Sequence, residues 1–117
     1  MRKEFNKLVR DKMIDIYKHD VANKLTSLDY KVHYCDKKEI LELLKEKLLE
    51  EVKELIDVYE GEPAKLKEEI ADVIEVMDAM LYHNDMTLDE ALSIRAKKKD
   101  ARGGFETGLY LEYIDYL

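Results

Sequence analysis

Two consecutive amphipathic stretches, separated by little more than Gly61–Glu62–Pro63, each carry acidic residues inside the stripe that should face inward. In the first, Leu41, Leu44, Leu48, Leu55 and Val58 recur at heptad-like spacing, and the member of the series that breaks the apolar pattern is Glu51. Glu54 shares that face, because positions three apart are neighbours on a helix surface. In the second, Leu66, Val73, Val76 and Met80 form a stripe interrupted by Glu69, with Asp72 one turn further on. This pattern calls for two helices that bring carboxylates towards one another, which constrains both architecture and chemistry.

An antiparallel hairpin sets residues equidistant from its turn side by side. With the turn centred between residues 61 and 62, Glu54 faces Glu69 about 11 Å back along the helices, and Glu51 faces Asp72 about 16 Å back. Four carboxylates in one cluster repel: each like-charge pair at about 4 Å costs on the order of 4 kcal/mol even at an effective dielectric of 20. Protonation, a lysine partner or a divalent cation can relieve the repulsion, and only the cation engages all four groups without leaving buried charge unpaired. An all-oxygen donor set favours a hard ion, Mg²⁺ or Mn²⁺. A di-iron bundle requires Glu-x-x-His on two helices; position 54 is Glu, position 72 is Asp, and His19, His33 and His83 lie elsewhere, so di-iron chemistry is disfavoured. With 40% charged residues, a single Glu-x-x-Glu spacing usually marks a solvated face. Two such pairs, each on an apolar stripe and in matching register, favour a metal site.

The rest of the chain reads as more helix. At 117 residues, with 46% hydrophobic content but 4 Gly and 1 Pro, a single mainly helical domain spanning residues 1–117 is expected. Leu8, Val9, Met13, Ile14 and Tyr17 predict a short helix from about Asn6 to His19. Tyr30, Val32 and Tyr34 alternate with Lys31 and His33 as in a half-buried strand. Asp36, three residues before Glu39, opens a long helix to about Tyr59. Gly61 suits a left-handed residue closing that helix, and Pro63 suits the first turn of the next, which runs to about His83. Thr87 and Glu90 form a capping box for a fourth helix that stops at Gly103–Gly104. Beyond it, Leu109, Leu111 and Tyr113 lie on one side of an extended pattern that can pair with Tyr30–Tyr34 as a small two-stranded β ribbon. The expected class is all-α, four-helix type, with a central antiparallel hairpin.

Acidic residues number 27 against 20 basic ones, a net charge of −7, so binding to DNA, RNA or anionic membrane is not expected. One cysteine, Cys35, closes no internal disulfide and leaves no CxxC or Cys/His framework for structural zinc. With a charged start at Met1–Asn6 and no long apolar run, the expectation is a cytoplasmic protein. His83 reads as a helix-end or interface histidine, and Cys35 as a small strand residue. Tyr110, Tyr113 and Tyr116 suit packing or a subunit interface at least as well as stacking on a base.

The segments Glu50–Glu51–Val52–Lys53–Glu54 and Glu69–Ile70–Ala71–Asp72 resemble the EExxE and ExxD pattern of the all-α NTP pyrophosphatase superfamily, the MazG-like proteins. NKLVRDKM at Asn6–Met13 and KDARGGF at Lys99–Phe105 are similar to a subgroup described as phosphoribosyl-ATP pyrophosphohydrolase-like. These matches run from about Phe5 to Leu111. The resemblance implies a MazG-like fold and Mg²⁺-dependent cleavage of a nucleoside triphosphate between its α and β phosphates, by activated water, giving the monophosphate and pyrophosphate. It implies Glu51, Glu54, Glu69 and Asp72 as metal ligands, with Glu50 supporting them or orienting the attacking water. It places Lys98 and Arg102, in K-x-x-x-R spacing, on the polyphosphate, joined by Lys7 and Arg10 and, more weakly, Asn6. It also implies a homodimer or larger assembly.

Two alternatives stand beside this expectation. Phosphoribosyl-ATP pyrophosphohydrolases of histidine synthesis share the carboxylates but lack this N-terminal segment and the GGF ending. A non-catalytic helical partner protein with a structural cation site would have no use for Lys98 and Arg102 opposite the acids.

Overall fold

The computed structural model describes residues 1–117 and contains four helices and no strand: α1 Met13–Ala22, α2 Lys37–Val58, α3 Pro63–Tyr82 and α4 Leu88–Arg102. The chain is therefore all-α, as its periodicity predicts. Asp36 is the N-cap of α2, its Oδ1 accepting the Glu39 backbone N–H at 2.9 Å and so satisfying one orphan donor of the first turn. Thr87 caps α4 in the same way, accepting from the Glu90 N–H at 3.2 Å while its hydroxyl donates to Glu90 Oε1 at 3.0 Å. His83 is the C-cap of α3, and its ring meets that of Tyr82 edge-on at 5.0 Å.

The α2–α3 hairpin is the centre of the molecule. Leu44 on α2 and Val76 on α3 are its buried apolar residues, at 5% and 8% exposure, and the remaining members of both predicted stripes are half-buried around them. The third buried residue of the chain is Glu51, at 8%. α4 packs on α3 alone and sparsely, and α1 packs on no other helix. The result is an open shape of 70 × 35 × 24 Å with a radius of gyration of 19.6 Å. A compact chain of this length would have one of roughly 13 Å. Leu49 and Ile56 on α2 and Ile70, Ile74 and Met77 on α3 turn outward and are exposed.

Three local expectations are corrected. The first helix begins at Met13 rather than Asn6: Asn6 has a left-handed φ of 47°, and residues 7–12 form an irregular segment ending in a turn. Long-range ion pairs from Lys7 and Arg10, described below, hold that segment against the hairpin in place of local helix. The β ribbon does not form. Tyr30 instead sets its ring 5.8 Å from that of Tyr17 on α1, and the tail beyond Gly104 pairs with nothing along its backbone. Two strands without a third layer are marginal in water, so the loss of one packing face is enough to remove them.

Gly61, finally, does not adopt a left-handed conformation; the positive-φ glycines are Gly103 and Gly108. The hairpin turn closes through tight bonds from Tyr59 N–H to the Ile56 carbonyl at 3.3 Å and from Gly61 N–H to the Val58 carbonyl at 2.9 Å. Glycine serves there because a Cβ would lie 3.2 Å from the Val58 oxygen. The expected glycine stop of α4 does hold, with Gly103 at φ 81° and its N–H on the Lys99 carbonyl at 2.8 Å.

Candidate functional site

The site is built on the facing sides of α2 and α3. Glu51 occupies a position of the α2 stripe where its neighbours are leucines, so its carboxylate is carried inward with them. Carboxylate oxygens of Glu51, Glu69 and Asp72 converge within 4.8 Å of one another and link the two helices, whereas Glu54, expected opposite Glu69, is exposed and does not join this group. Glu50, Glu51 and Glu54 form a second convergent triad within the same distance, along α2. Glu51 belongs to both, so the acids make two overlapping triads hinged on the most buried of them.

Cations crowd the edges of this cluster. Lys7 Nζ donates to Glu50 Oε1 at 3.0 Å, and Arg10 Nη2 donates to Asp72 Oδ1 at 2.6 Å. Residues 7 and 10 thereby bridge α2 and α3. An extended run of three residues reaches about 10 Å, which matches the spacing of packed helices, roughly 8–10 Å. One helical turn would cover about half of that. Lys47, one turn before the motif, reaches Glu50 and Glu51, each at 3.4 Å. Sequence reasoning allowed a lysine partner without identifying it; the i, i+3 and i, i+4 spacing of Lys47 from the two glutamates was the available signal.

The electrostatics separate neighbouring carboxyls. The hydrogen bond from Lys7 holds Glu50 below the usual glutamate range, assisted by the charge of Lys47, and the same bond raises the Lys7 ammonium. Glu51 moves the other way: burial first, and then the charge of Glu54, push its carboxyl up, against a weaker pull from Lys47. Two oxygens are left without any hydrogen-bond partner although they are buried, Glu51 Oε2 and Glu69 Oε2, one from each helix. A buried, unpartnered carboxylate oxygen is costly. Two of them in one all-oxygen cluster are suited to sharing a hard divalent cation.

The remaining predicted residues are placed differently. Asn6 lies at the start of the irregular N-terminal segment and makes no side-chain hydrogen bond. Lys98 and Arg102 are exposed on α4 and form no ion pair, while the Lys99 between them pairs with Glu106 at 3.1 Å. The structure thus brings Lys7 and Arg10 to the acidic cluster and does not bring Lys98 and Arg102 to it within one chain. α4 meets only α3, and sparsely, so nothing seats it on the acidic face. No helix is long and apolar enough to cross a membrane. Compared with family models, curated proteins and solved structures, the chain matches none.

Proposed function

We propose that this chain is a MazG-like, Mg²⁺-dependent nucleotide pyrophosphohydrolase, which splits a nucleoside triphosphate between its α and β phosphates. The observation that carries the reading is the pair of buried, unpartnered oxygens on Glu51 and Glu69, converging with Asp72 from facing helices. Glu51, Glu54, Glu69 and Asp72 are the ligand set for Mg²⁺, with Mn²⁺ acceptable to the same donors. When bound, the cation supplies charge neutralisation and Lewis-acid polarisation of the phosphoryl group.

The chain's own groups supply the rest. Glu50, bonded to Lys7 and beside Glu51 and Glu54, supports the ligands or orients an attacking water. Lys7 and Arg10, already beside the acids, are the nearest groups able to hold the polyphosphate. No covalent nucleophile is required. Lys98 and Arg102 join them only if α4 closes or a second chain contributes it. The open shape and the outward apolar residues of α2 and α3 support a homodimer or larger assembly of this kind. The low cysteine content and acidic surface fit a cytoplasmic setting.

The test is product analysis by anion exchange after incubation with NTPs, dNTPs and phosphoribosyl-ATP, in Mg²⁺ and in EDTA. Metal-dependent monophosphate and pyrophosphate support the proposal, and turnover of phosphoribosyl-ATP alone moves it to histidine synthesis. The exposure of Lys98 and Arg102 away from the acids favours one second reading, a partner protein with a structural cation. Mg²⁺ binding without turnover of any substrate selects that reading.

A further inference from the structure

Far from the hairpin cluster in chemistry, and gathered at the start of α2, lies a second group of donors of three different kinds. His33 Nε2 is 2.9 Å from Glu39 Oε1 and 3.8 Å from Cys35 Sγ, and the imidazole, thiol and a carboxylate oxygen all fall within 4.8 Å of one another. The local chain explains the convergence. Residues 33 and 35 are two apart in a non-helical stretch, which sends their side chains to one side. Glu39 stands in the first turn of α2, whose start is tied down by the Asp36 cap on its own N–H.

We propose that His33, Cys35 and Glu39 form a second cation site, for a borderline d-block divalent ion of the Zn²⁺ kind, with its remaining coordination open to water or an external donor. The distances argue for it. Around a tetrahedral zinc with bonds of about 2.0 Å to nitrogen and oxygen and 2.3 Å to sulfur, the N···O and N···S edges are about 3.3 and 3.5 Å. The edges found here, 2.9 and 3.8 Å, each lie within a few tenths of an ångström of those values. The donor set argues for it too: nitrogen, sulfur and one carboxylate select zinc-like ions over Mg²⁺, the reverse of the all-oxygen cluster. A single cysteine excludes the closed four-ligand Cys/His arrangement of structural zinc, and three donors with an open position are a different class.

The experiment is titration of the full chain with Co²⁺, in excess Mg²⁺ to occupy the acidic cluster. Expected are a thiolate-to-cobalt charge-transfer band saturating at one Co²⁺ per chain and its disappearance on adding Zn²⁺. Cys35→Ser should abolish the band. His33→Gln and Glu39→Gln should each weaken Co²⁺ binding by at least roughly tenfold, the lower end of what loss of even an outer partner of a ligand costs. Glu69→Gln, in the hairpin cluster, should leave the band unchanged. Absence of the band in the wild-type chain overturns the site. So does a band that survives both His33→Gln and Glu39→Gln at wild-type affinity. All the substituted residues of this second site lie in or beside an irregular segment, and helical circular dichroism identifies any variant that fails to fold.

Discussion

In the α2–α3 hairpin, Leu44, Val76 and Glu51 are buried, whereas from Gly103 to the end of the chain every residue is exposed, Leu109, Tyr110, Leu111 and Tyr113 among them. Both regions carry regularly spaced apolar residues, helical in the hairpin and alternating in the tail, and they have opposite outcomes. The hairpin buries its stripe because its partner is the next helix in sequence, a short turn away, so little loop entropy opposes the contact. The tail has no such neighbour. An apolar segment that the chain itself leaves uncovered calls for a surface from elsewhere, and the outward residues of α2 and α3 are in the same position. The hairpin thus covers its inner face, which carries the acids, and leaves its outer face and the flanks dependent on what they meet.

The sharpest way to break that comparison is to remove an acid while leaving the hairpin intact. Glu69→Gln or Asp72→Asn should lower Mg²⁺-dependent turnover by roughly 10³-fold, the rate equivalent of several kcal/mol of lost charge stabilisation. The helical circular dichroism should not change. A variant turning over at the wild-type rate removes that residue from the site.

Next in size is the packing contrast. Leu44→Ala, in the hairpin core, should cost about 2–5 kcal/mol in urea unfolding. Tyr113→Ala, in the tail, should stay within about 0.5 kcal/mol. A loss at Tyr113 comparable to that at Leu44 would mean that the tail is buried against another copy, and its dependence on protein concentration would confirm the source.

A smaller effect concerns protons. The Glu51 carboxyl is raised in the folded chain, so the fold binds that proton more tightly than the unfolded chain does. Its contribution to metal-free stability is then largest below the ordinary glutamate value of about 4.3 and is lost as pH rises through the raised value. Glu50 is depressed and acts in the opposite sense, so the difference between two chains is the useful readout. The Tm of metal-free Glu51→Gln should exceed that of the wild type by a margin that grows over this acid range, and Mg²⁺ should close the gap. A margin independent of pH would show that Glu51 ionisation costs the fold nothing.

Smallest of all are the exposed cations. Arg10→Ala and Lys98→Ala should each weaken nucleotide binding several-fold, near the upper end of about 1 kcal/mol for exposed pairs, and affect Mg²⁺ binding less. If Arg10→Ala acts and Lys98→Ala does not, the polyphosphate is held from the N-terminal side. If Lys98→Ala acts in a monomer-dimer mixture only at high chain concentration, α4 works across an interface.

The hairpin was readable from the sequence because its signals are local and repeated: two apolar stripes, a cap at Asp36, a proline at the start of α3, and acids equidistant from one turn. The meeting of Glu51 with Glu69 and Asp72 follows from those periods and from helix geometry. The N-terminal segment was not readable in the same way. Leu8, Val9 and Met13 have helical spacing, and what overrides it is a pair of contacts to residues 43 and 62 positions away, Lys7 with Glu50 and Arg10 with Asp72. The ribbon failed for a similar reason, since alternation at Tyr30–Tyr34 describes a strand only when another strand is available. His33, Cys35 and Glu39 carry no spacing motif, because their meeting depends on a non-helical segment running into a helix start.

The turn at Gly61 contains none of the acids or cations of the site, yet it fixes their alignment. Its short length sets how far along α2 each residue of α3 lies, since every residue of slip between the helices displaces Glu69 and Asp72 by about 1.5 Å from Glu51. Lengthening the turn should therefore loosen the register of Glu69 and Asp72 against Glu51, while the apolar stripes keep both acids on the inward face. The gap between Val58 and Pro63 acts as a ruler, and its length is as much a part of the acidic cluster's specification as the glutamates it aligns.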